Sequence, residues 1–299
     1  MQREYKEKLL DFVRGHRHFD RMRGGIATGD ILPCLRKDEI DFYEGGARLF
    51  RFGVNKVITH RQYIDGHGNG DRALGPDEQT QEVFDRIRNK ARTHRVGNVT
   101  SELAAVHALF PTFAATRNEH RPGQLALIDV EARFGGDEAT ELPDGMIDLV
   151  FVMPDHRVLF VEAKCMGNPA VASIARAAVD EQVKNYERHI GHPGVPEAIK
   201  RSIEAQSILV GRASELATGI FPRVPILLLD PSTPQLAIGP RNSWLTDRLN
   251  AAGAWTVNSE RPLVIDGRRD PAAAIRAFVE RFGSPQSAGI SGTVRKELQ

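Results

Sequence analysis

Met146-Ile147-Asp148-Leu149-Val150-Phe151-Val152-Met153 is followed by Pro154-Asp155-His156 and then by Val158-Leu159-Phe160-Val161-Glu162-Ala163-Lys164. Two apolar runs separated by so short a polar break read as strands joined by a tight turn, and therefore as an antiparallel pair. Burying an isolated ionised carboxylate is expensive, so Asp148 must be paired, hydrogen-bonded, exposed or bound to a metal. Glu162 and Lys164 share one parity and leave the same face of their strand. Asp148 lies near the start of the first strand and Glu162 near the end of the second. A fold at Asp155-His156 brings those ends side by side, with two carboxylates and an ammonium converging.

Working outward, residues 125–134 read as a further strand. Before it, Thr100 or Ser101 can cap a helix that runs to about Phe110, with Leu103, Val106 and Leu109-Phe110 apolar. After the hairpin, a long helix is expected over 171–190. Pro196 sits in the first turn of another, ending near Gln206. Ile208-Leu209-Val210 and Ile226-Leu227-Leu228-Leu229 are short continuous apolar runs, read as strands buried on both faces. Residues 243–252 read as a helix stopped by Gly253, and Asp270-Pro271 opens a last helix that ends at Gly283. The order predicts an α/β fold, a mixed sheet with helices on both faces.

The N-terminal third is less regular. Residues 1–23 read as a polar helix that frays at Gly15 or Gly24-Gly25. Residues 24–75 read as loop-rich, with one strand pair at 49–54 and 56–59. Gly66-His67-Gly68-Asn69-Gly70-Asp71 lacks the strand-before, helix-after setting of a phosphate loop and reads as a flexible turn. Residues 76–95 read as a helix carrying the basic run Arg86, Arg88, Lys90, Arg92 and Arg95. Such runs are usually solvated helix faces, with phosphate contact the less common use. The expected division is an N-terminal module over 1–96, a core domain over 97–283 and a disordered Ser/Gly-rich tail over 284–299.

Composition narrows the class. With 299 residues, 41% hydrophobic and 26% charged, the chain can bury a sizeable core. It has no apolar run of about 18 residues, and its start, Met1-Gln2-Arg3-Glu4-Tyr5-Lys6, is charged rather than signal-like. Two cysteines, Cys34 and Cys165, support neither a disulfide framework nor a four-cysteine zinc site. These features lead to the expectation of a cytoplasmic protein with no membrane partner. A formal net charge of +1 argues against indiscriminate coating of nucleic acid.

Two carboxylates beside a lysine suit phosphodiester hydrolysis with Mg²⁺ or Mn²⁺, whose preferred ligands are oxygens. Asp148 and Glu162 would hold the ion, helped by the Ala163 carbonyl, while Lys164 orients water or offsets charge on phosphorus. An acid-x-Lys triplet alone is weak, since about one is expected by chance in a chain of this composition, and Glu4-Tyr5-Lys6 is another. Context distinguishes Glu162 and Lys164. Asp148, thirteen residues, then Glu162-Ala163-Lys164 resembles the PD-(D/E)XK nuclease motif, and Gln182-Val183-Lys184-Asn185-Tyr186 resembles the Q-x-x-x-Y element of RecB-like members. Asp144, in Pro143-Asp144-Gly145, is a rival for Asp148 but reads as the turn before the strand.

The resemblance covers about residues 98–230. It implies a restriction-endonuclease-like core of helix, three strands, helix and strand, and an acid on the preceding helix, for which Glu102 is the best placed. Asp129 and Glu131 could substitute for Glu102, although an exposed strand face is the plainer reading of them. The resemblance implies a nuclease acting on DNA, with RNA still open, in restriction, phage defence or repair. A homodimer or a regulatory partner is compatible with such a role. The competing expectation is a catalytically silent descendant that keeps the fold for nucleic-acid binding or assembly. His60, Arg61 and Tyr63 are polar-stretch residues with only a speculative substrate contact.

Overall fold

The computed structural model describes residues 3–45, 47–97, 102–134, 145–165, 178–212, 217–229 and 263–283. The rival Asp144, the caps at Thr100 and Ser101, the start of the long helix over 171–177, the helix at 243–252 and the tail over 284–299 lie outside them. The chain forms a mixed α/β structure built on two sheets.

The second sheet carries the hairpin. Strands β6 (Ala126–Phe134), β7 (Gly145–Val152) and β8 (Arg157–Cys165) form an antiparallel meander. The β7–β8 turn closes with His156 in the left-handed region, at φ 66°, where histidine is among the more tolerant non-glycine residues. Arg157 N–H donates to the Asp155 carboxylate and fixes the exit of the turn. Strand β8 then pairs in parallel with β10 (Ile226–Leu229), which pairs in parallel with β11 (Val264–Asp266). A short β9 (Gly219–Ile220) lies beside the start of β8.

Alternation along these strands sorts the core. Leu149, Phe151, Leu159, Val161, Leu227 and Leu229 pack with α5 (Glu102–His107), α6 (Phe110–Phe113) and α9 (Pro271–Phe282). Val150, Val152, Val158, Phe160, Ile226 and Leu228 pack with α7 (Ala178–Ile190) and α8 (Val195–Val210). Helices therefore cover both faces, and β10 is buried on both, as its unbroken apolar run predicts. Pro196 and Asp270-Pro271 occupy the helix starts expected of them.

Ile208-Leu209-Val210 is not a strand. It is the last turn of α8, capped by Gly211 in the left-handed region at φ 67°. Ile199, Ile203, Gln206 and Leu209 are its buried face, and Ile208 is 44% exposed. A three-residue apolar run cannot by itself distinguish a helix end from a strand.

Residues 24–75 are far from loop-rich. They hold the antiparallel sheet β1 (Ile31–Leu35), β2 (Ile40–Glu44), β3 (Ala47–Gly53), β4 (Lys56–His60) and β5 (Asp71–Ala73), with β3–β4 the expected pair. The polar helix at the start is two helices, α1 (Arg3–Arg14) and α2 (Arg17–Thr28), broken at Gly15-His16, and Gly24-Gly25 lie inside the second. Residues 76–95 divide into a 3-10 turn (Pro76–Glu78) and α4 (Gln81–Gly97). Tyr63, on α3 (Arg61–Asp65), is buried in this sheet's core rather than presented to a substrate. Part of the basic run is internally used: Arg88 and Arg92 both bind the buried Glu44.

The two sheets share α8. Its Ala205 and Leu209 enter the N-terminal core, while Ile199 and Ile203 enter the second. Gln206 donates to the carbonyls of Pro33 on β1 and Ile128 on β6. No described helix is long and apolar enough to cross a membrane.

Candidate active site

The β7–β8 ladder runs from Val152↔Val158 to Leu149↔Val161. The next step outward would set Asp148 opposite Glu162. There the strands part, while on its opposite edge β8 stays paired with β10, Ile226 to Glu162 and Leu228 to Lys164. The Asp148 carboxylate replaces the missing strand partner and accepts the Ala163 N–H at 2.8 Å. A ladder that ends inside the molecule thus leaves room for polar groups, and the backbone donor it frees is satisfied by a side chain.

Glu162 and Lys164 extend from the same face as Phe160, as their parity requires. The Lys164 ammonium lies 2.5 Å from Glu162 Oε1 and 3.7 Å from Asp148 Oδ2. Glu102, in the first turn of α5, reaches round the strand end. Its Oε1 lies 3.2 Å from Lys164 Nζ, and its Oε2 accepts the Cys165 N–H at 3.0 Å. Lys164 also donates to the Ala163 carbonyl at 2.9 Å, which engages the backbone oxygen expected to help hold a metal.

Gln182 and Tyr186 sit one turn apart on α7. The Gln182 amide donates to the Tyr186 hydroxyl at 2.6 Å, and that hydroxyl donates to the Met146 carbonyl. The pair therefore ties α7 to β7 two residues before Asp148. Gly145 permits the approach, since a Cβ there would stand 3.0 Å from the Tyr186 ring. Neither Gly145 nor the Cys165 N–H is visible as a site element in the sequence: the first reads as a turn residue and the second has no side-chain signature.

The electrostatics are lopsided. Burial pushes the Asp148 carboxyl up to about 6, against the opposing pull of Lys164 and the Ala163 N–H. Burial, reinforced by the charge of Asp148, raises Glu162 well above the usual carboxylate range. Burial alone would lower Lys164, but Glu162 and Asp148 outweigh it and hold the ammonium above its ordinary value. Burial and the nearby Glu162 raise Tyr186. Glu162 is 1% exposed, and its Oε2 has no hydrogen-bond partner.

Asp129 and Glu131 do not join the cluster. The expectation of an exposed face is also wrong for Asp129, which is buried, with Arg36 Nη1 donating to both its oxygens, at 2.8 and 3.0 Å. Its partner comes from β1–β2, far away in sequence. Glu131 stands at a left-handed position, φ 48°, within β6. Among the described residues, no group of three or more His, Cys, Asp and Glu side chains is arranged to hold a metal ion. No family model, curated protein or solved structure matches the chain.

Proposed function

We propose that the chain is a divalent-metal-dependent nuclease of the PD-(D/E)XK kind, hydrolysing phosphodiester bonds of DNA. The observation that carries this reading is the convergence of Asp148, Glu162 and Lys164 where β7 and β8 part, with Glu162 Oε2 buried and unpartnered. The order of elements supports it. A helix bearing Glu102 precedes a three-strand meander, a helix bearing Gln182 and Tyr186 follows, and β10 lies parallel to β8. The sheet order β6-β7-β8-β10-β11 is consistent with the restriction-endonuclease-like core that the motif implies.

The donor set fits Mg²⁺ or Mn²⁺. Three carboxylates against one ammonium leave an excess of negative charge in a desolvated place, which a hard cation or protons must offset. Asp148 and Glu162 would hold the ion, with the Ala163 carbonyl available once Lys164 turns away from it. Such an ion polarises a phosphoryl oxygen and acidifies water. Lys164 keeps its proton at neutral pH because the carboxylates hold its ammonium up. With that proton it would act as a cationic donor toward the phosphoryl group or the attacking water. Glu102 steers that ammonium, and Tyr186 with Gln182 sets the position of the strand that presents Asp148.

One observation favours a second reading, a catalytically silent protein of the same fold: Lys164 Nζ lies within 3.7 Å of all three carboxylates, a closed ion cluster. Incubating the full chain with linear, circular and single-stranded DNA and with RNA, in Mg²⁺, Mn²⁺ or EDTA, separates the two. Metal-dependent cleavage that disappears in Lys164→Ala is the expected outcome. No cleavage of any substrate by folded protein that also binds neither metal would sink the nuclease reading.

A further inference from the structure

A cleft of about 760 Å³ opens between the β1–β2 turn, the end of β6 and α8. Six basic and three acidic side chains line it. Three of the cations are internally matched: Arg36 with Asp129, Arg51 with Asp41 and Glu39, and Lys56 with Glu39. Lys37 and Arg133 are exposed and form no ion pair with another described residue, and Arg201 has only a loose 3.9 Å contact with Glu197. The apolar part of the lining includes Ala198, with the buried Phe160 and Ile199 behind it. Ser202 also lines the cleft. It is 4% exposed, and its hydroxyl has no hydrogen-bond partner. A buried hydroxyl is costly to leave unpaired, so it points to a ligand.

Two residues of the lining lie on or beside the strands that present the carboxylate cluster. Phe160 lies one same-face position before Glu162 on β8, a step of about 7 Å. Arg133 pairs with Met146 across β6–β7, two residues before Asp148. The unmatched cations of the rim match the phosphates of a nucleic-acid strand, which a positively charged groove tracks along its backbone. The volume falls in the range of about 300–1,000 Å³ typical of small-ligand pockets, which suits a few nucleotides of one strand and not a duplex.

We propose that this cleft holds a single-stranded segment of nucleic acid flanking the cleaved phosphodiester, with the N-terminal sheet supplying one wall. The proposal rests on the nuclease reading for its biological sense, but it is tested by binding alone. A fluorescein-labelled single-stranded oligonucleotide is titrated with full-length protein in EDTA, across a salt series, beside the corresponding duplex. The double variant Lys37→Glu/Arg133→Glu should weaken Kd about tenfold or more. The slope of log K against log salt should fall by about 0.7 for each phosphate that is no longer neutralised. Ser202→Ala should weaken binding while leaving the melting temperature unchanged or higher. The control, Arg86→Glu/Lys90→Glu, reverses two exposed charges on α4 and should bind as wild type does.

Wild-type affinity in the cleft variant, equal weakening in the control, or equal or tighter binding of duplex would each overturn the proposal. The failure of either idea is recognisable. Metal-dependent cleavage with an unaffected cleft variant removes the cleft and leaves the nuclease. Cleft-dependent binding without cleavage in any metal removes the nuclease and leaves the cleft.

Discussion

Two charge clusters among the described residues are built on opposite accounts of charge. Where the N-terminal sheet meets β6, Arg36, Arg51 and, at the exposed rim, Lys56 face Asp129, Asp41 and Glu39. Three cations meet three anions, and Arg36 also donates to the Val130 carbonyl at 2.6 Å. Where β7 parts from β8, a single ammonium faces three carboxylates, and one carboxylate oxygen remains unpaired. A balanced cluster has met its own desolvation cost and can only hold elements together. An unbalanced one is tolerable only when a cation or protons offset it, and strongly shifted groups of this kind gather at functional sites. The two should therefore respond oppositely to mutation: one in stability, the other in activity.

The largest effect is expected at the balanced cluster. Arg36→Ala leaves Asp129 buried without its partner and should cost about 3–5 kcal/mol in urea unfolding. Arg36→Lys should recover only part of this, since one ammonium cannot reach Asp129, the Val130 carbonyl and Asp41 together. A loss below about 1 kcal/mol in Arg36→Ala would erase the distinction between the clusters.

Glu162→Gln inverts the pattern. Cleavage should fall by about 10²–10³-fold or more, comparable to losing one dedicated transition-state contact. Stability at neutral pH should hold or rise, because a strained charge has been removed. The sign follows from linkage. A carboxyl raised in the folded state takes up its proton there more readily than in the unfolded chain. Its burden is absent at low pH, appears as pH rises past the unfolded carboxylate value, and is complete above the folded one. For Asp148 that window runs from 3.8 to about 6. The metal-free wild-type melting temperature should thus gain less, or lose more, across this window than that of Asp148→Asn. Mg²⁺ or Mn²⁺ should raise the wild-type value near pH 7 and leave Asp148→Asn unmoved. Thermal melts across pH, with and without metal, decide it.

The same contrast explains what can be read in advance. The hairpin, its turn and the shared face of Glu162 and Lys164 follow from a period of two along apolar strands, a local property. The five-stranded sheet stays hidden because its strands are short and carry Asp41, Glu44, Arg48 and Arg51. Their burial is made tolerable by partners distant in sequence: Arg88 stands 44 residues from Glu44, and Asp129 stands 93 from Arg36. Ile208-Leu209-Val210 misleads for a related reason, since only the Gly211 cap and the exposure of Ile208 separate a helix end from a strand. Glu102 carries two readings at once, a helix-dipole acid and a site acid. Only the placement of α5 against the end of β8 brings its carboxylate to Lys164.

The smallest effect tests whether the unbalanced cluster is positioned from outside. Tyr186 reaches the cluster through the backbone: its hydroxyl holds β7 by the Met146 carbonyl and is itself held by Gln182. Tyr186→Phe removes both bonds yet keeps the ring packed against Gly145. Because a net hydrogen bond contributes about 0.5–1.5 kcal/mol, the melting temperature should change little. If the tie serves only packing, cleavage will be unchanged as well. If it sets the strand that presents Asp148, kcat should fall by about tenfold while KM is kept, with the deficit larger in Mg²⁺ than in Mn²⁺. Mg²⁺ demands stricter octahedral geometry, so a misplaced ligand harms it more. Equal loss in the two metals, or a change in KM alone, would place Tyr186 in substrate binding and remove α7 from the positioning of the carboxylates.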